Sequence, residues 1–139
     1  MESYSIIDEP RPRPWQHLIV NPNIILLTAI FVPLFWNPPF WGRFWIPAVW
    51  LVFNGVSLGS PTLRKELTVV AVGALVWLGI LFATFPVLDA FGFNLPPETV
   101  SPYLRLLLFG VFFLILYLAV SMQSTAWQLF EYVRERNRR

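Results

Sequence analysis

Few side chains in this sequence could do chemistry, and their positions narrow the options. There is no cysteine, which excludes a disulfide framework, a thiolate zinc site, an iron–sulfur cluster and a thiol nucleophile. His17 is the single histidine, so one chain cannot supply a bis-histidine haem. Placed beside Trp15, it reads as an interfacial anchor rather than a ligand to pigment or metal. No Asp, Glu, Lys, Arg or His falls in the middle of a long apolar run. Ion-coupled transporters, light-driven pumps and voltage sensors usually carry such a group. No nucleophile, base and orienting residue come together for an intramembrane protease or a lipid transferase. Neither an enzyme nor a bound cofactor or metal is expected.

The remaining polarity is neutral. Ser121, Ser124, Thr125 and Gln128 follow i, i+3, i+4, i+7 spacing and so share a helix face; Gln123 lies within the same stretch. Asn54 falls at a comparable depth in an earlier run. This set reads as interhelical hydrogen-bonding glue. A small-ligand or lipid-headgroup site, or a water-lined pore entrance, is the functional alternative. Val72, Val76, Gly79 and Ala83 make a second pattern, a small-residue seam suited to close helix packing. Asp89, Glu98 and Arg105 are expected on the opposite side of the membrane from the chain ends, as an exposed ion pair contributing at most ~1 kcal/mol.

The elements that must carry these residues follow from composition. Of 139 residues, 56% are apolar and 13% charged, against about 45–50% and 25% in soluble domains. One integral membrane domain is expected over residues 18–130. A proline- and arginine-rich polar tail (1–17) precedes it, with Pro10 to Pro14 favouring an extended spacer, and a basic tail (131–139) follows. The mixed charges of the first tail and the lack of a small-residue cleavage site argue against a secretory leader.

Four apolar runs are apparent: Leu18–Trp36, Phe40–Leu58, Glu66–Leu88 and Tyr103–Phe130. At about 1.5 Å per residue, each is long enough for a ~30 Å hydrocarbon core or nearly so. Asn37-Pro38-Pro39, Gly59–Lys65 and Asp89–Ser101 separate them. Pro22 suits the first turn of the first helix. Ser60-Pro61 and Ser101-Pro102 each read as a helix start, and their echo hints at a duplicated hairpin. Trp36, Trp41, Trp45 and Trp50 cluster around a break between runs, as in an interfacial aromatic belt.

Of ten Lys and Arg, Arg11, Arg13, Arg64, Lys65, Arg134, Arg136, Arg138 and Arg139 fall on one side of this plan. Arg43 and Arg105 fall on the other. The basic side is cytoplasmic. The expected fold is therefore all-α, with four transmembrane helices in two antiparallel hairpins and both termini cytoplasmic, in a bacterial inner (plasma) membrane. A re-entrant first hairpin over 18–58 gives the same sidedness. The basic tail is a membrane flank, and no nucleic-acid partner is expected.

With no catalytic constellation, the leading function is a non-catalytic accessory or assembly subunit of a larger membrane complex, with membrane lipid and other membrane subunits as partners. The alternatives are a small oligomeric channel or transporter lined by the polar face of the fourth helix, and a membrane-perturbing effector or its immunity partner. The charge distribution makes a direct prediction. Reporter fusions after Asn37 and Asn94 should report the outer side, and fusions after Ser60 and Arg139 the inner side. An outer report at Arg139 would sink the four-crossing plan, and an inner report at Asn37 alone would favour the re-entrant hairpin.

Overall fold

A computed structural model describes residues 16–35, 40–93 and 95–136. The proline-rich tail, the Asn37-Pro38-Pro39 break and the last residues of the basic tail lie outside them, as do the side chains of Trp36 and Trp41. The described chain is all-α. A short 3-10 turn, Gln16–Leu18, is followed by α1 (Pro22–Phe35), α2 (Phe40–Leu58), α3 (Leu63–Ala90) and α4 (Pro97–Arg136). The 28-residue α3 and the 40-residue α4 are long and apolar enough to cross a membrane, and α1 and α2 contribute shorter apolar stretches.

Local chemistry sets the ends. Asn21 caps α1, its side-chain oxygen accepting from the Asn23 N–H at 3.0 Å, and Pro22 takes the first helical position, where no N–H is needed. The helix thus begins four residues later than the apolar run. Gly59, at φ 65°, closes α2. The Ser60 N–H returns to the Gly55 carbonyl at 3.2 Å, a six-to-one closure that needs a left-handed residue.

The two Ser-Pro pairs behave differently from their expected role and from each other. Ser60-Pro61 lies in the turn before α3, and the cap position falls on Thr62. Ser101-Pro102 lies inside α4, which starts at Pro97. There the Ser101 hydroxyl donates to the Pro97 carbonyl at 2.6 Å. Pro97 is itself a suitable first residue, so the Ser-Pro echo marks no repeated hairpin.

The helices pack unequally. Both α2 and α4 touch every other helix, whereas α1 and α3 do not touch each other among the described residues. The core follows one stripe of α4: Leu104, Leu108, Phe112, Leu116 and Ala119 are buried against Ile25 and Ala29 of α1, Ala48 and Leu51 of α2, and Trp77 of α3. Trp45 and Trp50 are half-buried against this core rather than set apart from it, and the Trp45 and Trp77 rings meet edge to face at 6.4 Å. A smaller apolar cluster of Ile19, Leu58, Ala126 and Phe130 closes the other end.

The close approach of α3 and α4 falls at Gly73, where an added Cβ would run into the Ile115 side chain. The expected seam lies elsewhere on α3: Val72, Val76, Gly79 and Ala83 are all exposed, and a Cβ at Gly79 would meet nothing within 4 Å. The stripe that faces the fold is Glu66, Val70, Gly73 and Trp77, at i, i+4, i+7, i+11. Overpacking at Gly73 should therefore be costly. Gly73→Val should lower unfolding stability in detergent by about 1–3 kcal/mol, and much of that loss should be recovered when Ile115→Ala is added. A Gly73→Val loss that Ile115→Ala leaves unchanged would place the contact elsewhere.

Candidate functional site: a buried polar chain

Between the two apolar clusters lies a layer of buried polar side chains. Asn54 on α2 is fully buried, Glu66 on α3 is 2% exposed and Gln123 on α4 is 1% exposed. Asn54 and Gln123 each interrupt an apolar stripe, and Glu66 begins one. On α4, Gln123 falls between Val120 and Ala126, and on α2, Asn54 falls between Leu51 and Leu58, all of them buried. Apolar side chains thus seal the layer on both sides, and its polar atoms must satisfy one another.

They do so in a continuous line. The Val20 N–H, just ahead of α1, donates to Asn54 Oδ1 at 2.9 Å. Asn54 Nδ2 donates to Gln123 Oε1 at 3.3 Å. Gln123 Nε2 donates to the Leu51 carbonyl and to Glu66 Oε2, both at 2.8 Å. The hydroxyls of Ser60 and Thr62 donate to Glu66 Oε1 at 2.5 and 2.6 Å. Three helices, the α2–α3 turn and the segment leading into α1 are tied through one layer. Gly55 makes room for it, because a Cβ there would stand 2.5 Å from Glu66 Oε2 and 2.6 Å from Gln123 Nε2. One residue before Leu58, the Ser57 hydroxyl is also buried, with no hydrogen-bond partner among the described residues.

Asn54 is the one member of the expected polar set that takes part. Ser121, Thr125 and Gln128 are exposed and Ser124 is half-buried. The Ser121 and Ser124 hydroxyls bond back to the carbonyls of Leu118 and Ser121, both at 2.8 Å. The reason is angular. At about 100° per residue, positions 121, 125 and 128 lie on the far side of α4 from Gln123, so Asn54 meets Gln123 and not that face. Glu66, read from sequence as the charged edge of a span, is instead drawn into the interior.

Both missed residues carried a usable signal. Gln123 continues the spacing of Leu116, Val120 and Ala126, and Glu66 that of Val70, Gly73 and Trp77. The other expected cluster is not assembled. Asp89, Glu98 and Arg105 are all exposed, and no ion pair joins them among the described residues. Glu98 and Arg105 lie two helical turns apart, roughly 10 Å along α4. His17 is exposed on the short 3-10 turn. Among the described residues, no three His, Cys, Asp or Glu side chains gather as a metal site would require.

The buried layer is thus a hydrogen-bond clasp through Asn54, Gln123 and Glu66 that leaves the Ser57 hydroxyl outside it, and the polar face of α4 points outward. No protein-family model, no curated protein and no solved structure matches this chain.

The clasp predicts a sharp contrast on α4. Gln123→Leu should cost at least the ~0.6 kcal/mol of one interhelical hydrogen bond in a membrane, and up to about 1–3 kcal/mol for each buried group it strands. Ser124→Leu and Gln128→Leu should stay within about 0.5 kcal/mol of the parent. Thermal unfolding of the detergent-solubilised variants checks this, and equal losses at the three positions would remove the clasp from the account.

Proposed function

We propose that this chain is a non-catalytic, membrane-embedded accessory or assembly subunit that presents the outer face of α3 to other membrane proteins. One observation carries the reading: α3 packs one side against its own fold and leaves the whole opposite apolar side uncovered. Among its 28 residues only Glu66 and Trp77 are buried. Leu75 and Phe82 are each 69% exposed. With Val72, Val76, Gly79 and Ala83 they form one continuous outward strip. Such a strip is untenable in water and ordinary in a bilayer. Its flat Gly79–Ala83 stretch suits close approach by a second helix, the usual basis of association where apolar burial gives little drive.

In this reading the helices cross the membrane as two antiparallel hairpins, with both chain ends on the cytoplasmic side of a bacterial inner membrane. The basic residues at the start of α3 and the end of α4 support that orientation. At about 21 Å, α1 is shorter than the hydrocarbon core, and flanking residues and local thinning make up the difference.

Affinity purification in mild detergent tests the proposal. The chain should come out with other membrane subunits in fixed stoichiometry. Gly79→Leu should release those subunits while leaving the thermal stability of the chain itself unchanged, because the new side chain enters open space. A complex indifferent to Gly79→Leu would remove α3 as the docking face. A homo-oligomer that alone conducts ions or solutes in proteoliposomes would replace the accessory role with a channel.

A further inference from the structure

The first half of α3 carries a second feature. Between α3 and α4 runs an open apolar groove of about 420 Å³. Val69, Val72 and Val76 form one wall, Leu114 and Leu118 the other, and Ile115 seated against Gly73 forms the floor. It extends for roughly 10 Å along α3. Toward the start of α3 its chemistry changes. Lys65, exposed, sits one turn before Val69 and in line with Val72 and Val76, and so continues the α3 wall; Arg64, also exposed, sits one turn before Thr68 at that wall's outer edge. On α4, Ser121 sits three residues beyond Leu118 and continues the other wall with a hydroxyl. The groove is therefore apolar along its length and cationic at one mouth.

We propose that this groove is a binding site for an anionic phospholipid, with an acyl chain lying along Gly73 and Ile115 and the phosphate held at the mouth by Arg64 and Lys65. Charge at the mouth distinguishes this occupant from a partner helix, which would find two cations where its apolar face should continue. Depth fits as well. If the α2–α3 turn lies at the cytoplasmic surface, Arg64 and Lys65 stand at headgroup level and Val69 to Val76 stand among the acyl chains. The proposal rests on the chain being membrane-embedded, but not on its having protein partners.

Delipidated, detergent-solubilised chain should be titrated with dioleoylphosphatidylglycerol or dioleoylphosphatidylcholine, with bound lipid followed by native mass spectrometry and stability by thermal unfolding. Phosphatidylglycerol should bind at one molecule per chain, raise the unfolding temperature, and be preferred roughly thirtyfold, the attraction expected of two basic residues at an anionic surface. Arg64→Gln with Lys65→Gln should reduce that preference to about unity. Val72→Trp, which fills the groove from its exposed wall, should abolish retention of both lipids without lowering the unfolding temperature of the lipid-free chain.

Equal binding of the two lipids by the parent, or an undiminished preference in the double variant, would overturn the proposal. So would a lipid-free dimer that Val72→Trp dissociates, since the occupant would then be a second copy. Recovery of the chain from cells without detergent would defeat the membrane reading itself. A membrane-fraction chain indifferent to headgroup charge would defeat only the lipid site.

Discussion

The orientation of one side-chain amide governs the described fold. The two N–H groups of Gln123 face the Leu51 carbonyl and Glu66. A backbone carbonyl can only accept, so the amide nitrogen must lie on that side and the oxygen must turn to Asn54. Asn54 then has to present its nitrogen to Gln123 and its oxygen to the Val20 N–H. Each step leaves one arrangement for the next. Asn54, Gln123 and Glu66 are buried between two apolar clusters, and a mismatch among them leaves a buried polar atom unsatisfied.

That constraint supplies what the apolar contacts do not. Along α4, Leu104, Leu108, Phe112 and Leu116 recur every four residues. Sliding α4 by about one turn would put a similar side chain against α2 at most of these positions. In a bilayer, lipid would cover any surface left over at little cost. The polar layer has no such repeat. Displaced by one turn, Gln123 would leave Leu51, Asn54 and Glu66 together, and the helices would be out of register. The two close approaches act in the same sense. Gly55 admits Glu66 and Gln123, and Gly73 admits Ile115, so each fixes a height as well as a distance.

The periodic apolar pattern and the break signals were enough to read four helices from the sequence, and α2 ends where its run ends, at Leu58. The helix starts were less legible. Ser-Pro is a start signal only when the serine caps, and here the Ser60 hydroxyl is drawn to Glu66 while Ser101 lies beyond an earlier proline start at Pro97. The polar site was half legible. Asn54 stood out because it is alone in an apolar run, whereas Gln123 was hidden among polar neighbours that look equally suitable by type. Only the phase of the α4 stripe separates Gln123 from Ser121, Thr125 and Gln128. Glu66 was hidden by convention, since a charged residue at the edge of an apolar run is ordinarily read as the boundary. The Gly79–Ala83 pattern shows the converse limit: spacing identifies a face, but the face used by the fold is set by Trp77 and Gly73, about a quarter to a half turn away.

Anchoring at one end gives α3 its distinct character. Its first turn is fastened through Glu66 to the α2–α3 turn and to α4, and Gly73 and Trp77 seat it against Ile115 and Trp45. Past that point it has half-buried contacts on one side and an unbroken apolar strip on the other. A helix held in this way presents its outward strip at a fixed rotation and height. Any helix that packs against Gly79 and Ala83 therefore meets a surface already ordered, and the ordering cost that would weaken association is met by hydrogen bonds inside the fold. The same fastening fixes the rotation of Arg64 and Lys65, which share the first turns of α3 with Glu66 and are exposed where it is buried. A single buried carboxyl group thus fixes the position of a cationic pair and the rotation of an apolar face more than two turns distant, and both depend on the register that Gln123 imposes.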